Sequence, residues 1–165
     1  MAARGFHGPE VACSSQAPDP ISFTLKGTPP NWSQGKWHGH WSISYSEKKA
    51  WLERTILMGL QARLQAQWAI CRPEKRIVEI RCYRVQLMDH DGATTSIKPI
   101  LDGLKVSLFR RERGIRKLLV VPGAGLVYDD SPEYVELVSP GNLQTKVAHR
   151  YEEHTVVTVR VATSP

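Results

Sequence analysis

The chain has 165 residues, the length of one compact domain with a tail to spare. Hydrophobic residues make up 41% and charged residues 23%, and no apolar run approaches the roughly 20 residues that cross a bilayer. We therefore predict a cytoplasmic globular protein without membrane insertion. The net charge of +6 favours a polyanionic partner, although many basic proteins are ribosomal or merely basic.

The first residues, 1–19, mix Gly, Pro, Ala and Ser without the apolar segment of a secretory signal. We expect a disordered tail over residues 1–20 and one domain over residues 21–165. The three cysteines, Cys13, Cys71 and Cys82, show no metal-binding spacing, which argues against a disulfide framework and a zinc knuckle. Cys82 is expected to be a small buried hydrophobic residue.

Residues 21–26 alternate in polarity, so a strand is predicted with Ile21, Phe23 and Leu25 on one face. The next loop is rich in aromatic and basic side chains: Trp32, Lys36, Trp37, His38, His40 and Trp41. Such a loop either stacks on nucleic-acid bases or folds back on the core through its tryptophans. We favour the second interpretation, which also makes the His-x-His pair structural.

A long helix is predicted over residues 46–68. Ser44 and Glu47 have the spacing of a capping box, and Pro73 ends any continuation. Apolar residues follow at every fourth position, which predicts a buried stripe: Leu52, Ile56, Leu60, Leu64 and Trp68.

A second strand is predicted over residues 76–88, because Val78, Ile80 and Cys82 alternate with charged residues. It leads into Asp89 and Asp91. A second amphipathic helix then follows, with Pro99 in its first turn and an apolar face of Ile97, Ile100, Leu101, Leu104 and Leu108.

Lys98 and Asp102 are four residues apart, so they are expected to lie on one side of that helix. The alternative to a functional pair is a surface salt bridge worth roughly 0.3 to 0.5 kcal/mol.

A basic run follows this helix, and its five cations are candidates for contacts with a DNA backbone. These cations are Arg110, Arg111, Arg113, Arg116 and Lys117. The competing interpretation is a solvated charged loop.

Further strands are predicted at residues 126–128, 134–138 and 155–162, the last two as an antiparallel hairpin. The fold class is therefore α+β, a mixed β-sheet with two main helices packed on it in a single domain. Acidic residues end two of the strands, where carboxylates and a nearby lysine suit a magnesium-dependent phosphodiesterase. Asp129 and Asp130 are adjacent, so only one is expected to be a principal ligand.

These residues resemble the RusA-type Holliday junction resolvases. Lys98-Pro-Ile-Leu-Asp102-Gly-Leu104 and Gly125-Leu-Val-Tyr-Asp129-Asp130 are similar to the middle and last family motifs, and the first strand runs into Gly27-Thr-Pro-Pro-Asn31 as in that family. The resemblance covers roughly residues 21–138. It implies a homodimeric, Mg2+-dependent endodeoxyribonuclease that resolves four-way (Holliday) junctions in branched DNA during recombination and repair.

Carried over by position, the resemblance implies Asp89, Asp91 and Asp130 as magnesium ligands and Lys98 as the catalytic cation. Asp102 and Asp129 would be supporting carboxylates. The chain departs from the family because its acidic positions, counted back from Lys98, fall on Gly92 and Thr94. The Asp89 and Asp91 roles therefore need three extra residues before the helix, and the alternative for Asp91 is a helix-cap residue that binds no metal.

A second departure is the segment between Leu104 and Leu126, which compact family members lack. Two rival hypotheses remain. One is a degenerate nucleic-acid-binding protein without catalysis, and the other is a basic component of a phage or ribosomal assembly.

Overall fold

A computed structural model describes residues 19–32, 41–111 and 118–162. The predicted tail therefore lies largely outside the described residues, as do Lys36, Trp37, His38 and His40 of the aromatic loop. The helices and strands are β1 Ile21–Lys26, α1 Trp41–Gln65, β2 Arg76–Arg84, α2 His90–Ser96, α3 Lys98–Leu104, β3 Ser107–Arg111, β4 Leu118–Pro122, β5 Val135–Leu137, β6 Gln144–Lys146 and β7 His154–Val161. Two short 3-10 turns, Pro140–Leu143 and Arg150–Glu152, precede β6 and β7.

The main sheet is mixed and has the order β1-β7-β2-β5, with β6 also paired to β2. β7 runs antiparallel to both β1 and β2, whereas β5 and β6 run parallel to β2. The predicted α+β class is thus confirmed. The predicted hairpin between the last two strands is wrong, because β5 and β7 both pair with β2 rather than with each other.

Alternating polarity determines which face of each long strand is buried. Ile21, Phe23 and Leu25 are buried in β1, and Val78, Ile80 and Cys82 are buried in β2. Each strand therefore contributes one side chain in two to the core, as a period of two requires. Cys82 is a free, buried cysteine, as predicted.

Helix α1 begins earlier than predicted and turns a different face to the core. Since it starts at Trp41, Ser44 lies within the helix and is not its cap. Trp51, Thr55 and Gly59 are buried, whereas the side chain of Leu64 is 62% exposed. A spacing of four residues advances about 40° past a full turn, so a strict fourfold stripe leaves the core face within three steps.

The second predicted helix corresponds to α3, and a separate short helix that was not predicted, α2, precedes it across Ile97. Pro99 lies in the first turn of α3, as predicted, where no backbone N–H is required. Leu108 lies beyond α3, in strand β3. The basic segment after α3 is not wholly the solvated loop of the competing interpretation, because its described ends form the two-stranded antiparallel sheet β3-β4.

The segment 126–128 was predicted as a strand, but it is not a regular strand and contributes a single parallel bridge between Val127 and Lys105.

The loop tryptophan Trp32 packs against the core and donates from Nε1 to the Ser96 carbonyl at 3.0 Å. For Trp32, the fold-back interpretation of the loop is therefore the right one. Across the three described ranges, no helix has the length and apolarity needed to cross a membrane.

Candidate functional site

The candidate site is built on the solvent side of α3. Ile97, Ile100 and Leu104 are buried and fix the other side of this helix to the core. Because helical neighbours on one face recur at three to four residues, Lys98 and Asp102 fall on the less buried side of α3. This periodicity places Lys98 and Asp102 together, one turn apart.

Asp130 reaches the same place from a distant part of the chain. Backbone hydrogen bonds hold residues 125–127 against the end of α3, with Gly125 N donating to Lys105 O at 3.0 Å and Leu126 N donating to Leu104 O at 2.9 Å. Asp130 follows three residues after this clamp. Its position beside α3 is therefore fixed by main-chain contacts.

Four side chains of alternating charge form a closed ring, which we call the Lys-Asp ring: Lys98, Asp102, Lys105 and Asp130. Lys98 Nζ contacts Asp130 Oδ2 and lies 3.5 Å from Asp102 Oδ1. Lys105 Nζ lies 2.9 Å from Asp102 Oδ1 and 3.2 Å from Asp130 Oδ1. The ring has no net charge, and both carboxylates are shared by the same two ammonium groups.

Burial and hydrogen bonding act in opposite directions on the Asp130 carboxyl. Burial raises its pKa, but hydrogen bonds from Lys98 and Lys105 outweigh burial and lower the pKa from 3.8 to about 2. For Lys105 the directions are reversed. Burial lowers the pKa of its ammonium, but hydrogen bonds to Asp102 and Asp130 raise the pKa by more, so the net shift is upward. Both shifts keep Asp130 and Lys105 ionised near neutral pH.

Lys105 is the member of the ring that sequence reasoning missed. Its side chain is only 16% exposed, against 56% for Lys98, so it is the more enclosed of the two cations. A signal was available, because Lys105 lies three residues after Asp102 and seven after Lys98, both same-face helical spacings.

The structure joins three of the predicted site residues, Lys98, Asp102 and Asp130, but does not gather the predicted ligand set. In the described part of the chain, no three His, Cys, Asp or Glu side chains form a group able to hold a metal ion. Asp89, Asp91 and Asp130 are thus not assembled around one point here. Asp129, which precedes Asp130, is not a member of the ring.

Asp89 has a clear structural role. It is the N-cap of α2, and its Oδ1 accepts a hydrogen bond from Gly92 N at 2.8 Å. Asp91 is exposed in the first turn of the same helix. The cap role considered for Asp91 therefore belongs to Asp89, two residues earlier.

The ring nevertheless contains two carboxylates that share one cation. A single ammonium, that of Lys105, is within 3.2 Å of both Asp102 and Asp130. Magnesium is commonly held by one or two carboxylates together with waters and substrate phosphates. The Asp102 and Asp130 pair fits that minimal ligand set, provided that the lysine moves away.

Of the predicted DNA-binding cations, Arg110 and Arg111 lie in β3. Arg113, Arg116 and Lys117 lie outside the described residues.

No family model, curated protein or solved structure matches the chain.

Proposed function

We propose that this chain is a magnesium-dependent, structure-selective endodeoxyribonuclease that cleaves four-way DNA junctions. The observation that carries the proposal is the convergence of Lys98 and Asp102 with Asp130, which is 32 residues beyond Lys98 in sequence. The RusA-like motifs single out these same three residues. The net charge of +6 supports a polyanionic substrate.

In this proposal Asp130 and Asp102 hold the cation, and Lys98 faces the phosphate. A bound magnesium ion lowers the pKa of a coordinated water and neutralises phosphate charge. Lys98 is the more exposed ammonium of the ring, so it is free to leave Asp130 and hydrogen-bond a non-bridging phosphate oxygen as charge develops there. Additional ligation by Asp89 or Asp91 stays a prediction.

Resolution of a junction needs two cuts related by a twofold axis. A homodimer supplies two equivalent sites in that arrangement, so we include a cytoplasmic homodimer in the proposal. Recognition would rest on backbone shape and charge more than on base edges.

The test is nicking of a synthetic four-way junction with magnesium or with EDTA. Wild type is expected to nick two opposed strands only with the metal, and Asp130→Asn and Lys98→Ala are expected to lose at least about a hundredfold in rate. Glu136→Gln is the matched control, because Glu136 is an exposed acid in β5 that pairs with Lys75 at 3.9 Å. The control is expected to nick like wild type.

A second candidate function is junction binding without hydrolysis. The Lys-Asp ring favours binding without hydrolysis, because its charges balance and each carboxylate already has two ammonium partners. Binding of junctions without nicking, across magnesium and manganese concentrations, would establish this function in place of the nuclease. Equal competition by linear DNA or RNA would point instead to a general nucleic-acid or assembly role.

A further inference from the structure

The 3-10 turn before β7 carries an unusually exposed aromatic side chain. Tyr151 is 83% exposed, more than any other exposed large hydrophobic or aromatic residue in the described ranges. Its ring stacks on His149 with centroids 5.1 Å apart and an interplanar angle of 13°. The ring is therefore held in a defined orientation while one face and its edge remain available. We call His149, Arg150 and Tyr151 the aromatic turn.

The acidic residues beside the aromatic turn are engaged by backbone amides. Glu152 Oε2 accepts from the backbone N–H groups of Ala148 at 3.0 Å and His149 at 2.9 Å. Glu153 Oε1 accepts from Val85 N at 3.0 Å. Arg150 is exposed and has no ion pair within the described residues. The turn thus presents an aromatic face together with a cation.

A cavity of about 480 Å³ reaches from Arg150, the one residue of the aromatic turn that lines it, to Asp89 at the start of α2. Two arginines, Arg150 and Arg84, and two acids, Asp89 and Glu153, line it, and Arg84 is only 2% exposed. Arg84 donates to Pro29 O at 2.9 Å and to Ser96 Oγ at 3.0 Å, both neutral acceptors, and within the described ranges it has no acidic partner. A buried cation with only neutral partners favours an anion placed directly beside it, on the Arg84 side of the cavity.

We propose that the aromatic turn and this cavity bind an unpaired nucleotide, with the base stacked on Tyr151 and the phosphate beside Arg150. A base has a π-face that stacks on an exposed aromatic ring whatever its sequence, and a guanidinium is suited to a phosphate. The strand would then run along the cavity from Arg150 to Asp89 at the start of α2. This inference deepens the proposed function and rests on it for the choice of DNA as ligand.

The test is fluorescence anisotropy with a labelled oligo-dT of about 12 nucleotides and with a blunt duplex of equal length, in EDTA. Tyr151→Ala is expected to weaken oligo-dT binding by about 5- to 150-fold, which corresponds to loss of one stacking aromatic, and to change duplex binding less than twofold. Tyr151→Trp is expected to retain binding, with quenching of the new indole by the oligonucleotide. Tyr45→Ala is the matched control, since Tyr45 is 59% exposed on α1.

Two results would overturn the inference. One is wild-type affinity for oligo-dT in Tyr151→Ala, as a tyrosine that serves a protein interface would give. The other is an equal loss for oligo-dT and duplex, which would mean that no base is stacked.

Junction nicking by wild type separates this inference from the proposed function. If wild type nicks junctions while Tyr151→Ala binds oligo-dT normally, only the nucleotide site is wrong. If Tyr151→Ala loses oligo-dT selectively while wild type never nicks, only the nuclease is wrong.

Discussion

The ammonium of Lys105 lies between two carboxylates, 3.2 Å from Asp130 Oδ1 and 2.9 Å from Asp102 Oδ1. Because the Lys105 side chain is only 16% exposed, solvent screens its interaction with the two carboxylates less than it screens an exposed surface ion pair. In the proposed nuclease, Asp102 and Asp130 would hold a magnesium ion, and Lys105 would compete with that ion for both carboxylates.

Replacing Lys105 by Met is expected to strengthen magnesium binding. The substitution removes the competing charge and leaves two carboxylates with one ammonium, Lys98. Even with screening by solvent and salt, loss of a unit charge about 3 Å from each ligand is expected to raise affinity by about tenfold or more. Isothermal titration of magnesium into wild type and variant measures the change directly, whatever the catalytic outcome.

Lys75→Met is the matched control for this titration. Lys75 makes an exposed contact of 3.9 Å with Glu136 and is expected to leave magnesium affinity within twofold of wild type. Unchanged or weaker magnesium binding in Lys105→Met would contradict the bridging role.

The depressed pKa of Asp130 predicts a loss of stability in acid. A carboxyl with a pKa of about 2 in the folded chain and an ordinary value in the unfolded chain stabilises the fold fully above about pH 4. This contribution, about 1 to 2 kcal/mol, is lost as the pH falls from about 4 to 2. Urea unfolding between pH 2 and 7 is expected to show a shallower acid limb in Asp130→Asn than in wild type. Parallel limbs would mean that the two lysines do not stabilise the ionised carboxyl.

Strand assignment succeeded where a local pattern decides the structure. In β1 and β2 each successive residue changes face, so Leu25 and Val78 could be placed in the core from the alternation of polarity alone. Partner choice is a different matter. That β5 adds parallel to β2, with Arg76 opposite Val135, depends on contacts remote in sequence, and nothing in three strand residues specifies it.

In the site, too, the features set by local sequence could be predicted and those set by remote contacts could not. The Lys98 and Asp102 contact follows from helical spacing and was predicted, and the family-like motif singled out Asp130 without giving its distance from them. The ligand roles of Asp89 and Asp91 depended on how the turn before α2 is built. There the short side chain of Asp89 caps the helix, a local competitor that a metal-site pattern does not reveal.

Gly103→Ala is expected to destabilise the fold, because α1 and α3 approach closely at this residue. A methyl group on Gly103 would lie 2.8 Å from Thr55 Cβ and 3.1 Å from the Leu52 carbonyl oxygen. Alanine favours a helix by about 1 kcal/mol over glycine, but overpacking against a neighbouring helix costs about 1 to 3 kcal/mol. A net loss of about 1 kcal/mol is expected in urea unfolding.

Gln61→Ala in α1 serves as the control for this helix contact. Gln61 is exposed, so the change is expected to fall within about 0.5 kcal/mol of wild type. A Gly103→Ala variant as stable as wild type would argue that the backbone of α3 at Gly103 does not pack closely against α1.

The basic strand β3 offers a test of how the chain holds DNA. If Arg110 and Arg111 each neutralise one phosphate, the double variant Arg110→Gln, Arg111→Gln releases two fewer counterions on binding. The slope of log affinity against log salt is then expected to become shallower by about 2. Junction binding measured in EDTA from about 50 to 300 mM salt gives this slope for wild type and variant.

Arg72→Gln with Lys75→Gln is the control for net charge. Both residues are exposed in the connection before β2, and their loss changes the chain's charge by the same amount. A local DNA contact at β3 predicts a shallower slope for the β3 pair alone. An equal change in both double variants would assign the salt dependence to the overall field of a basic protein, and β3 would then be no special part of the DNA surface.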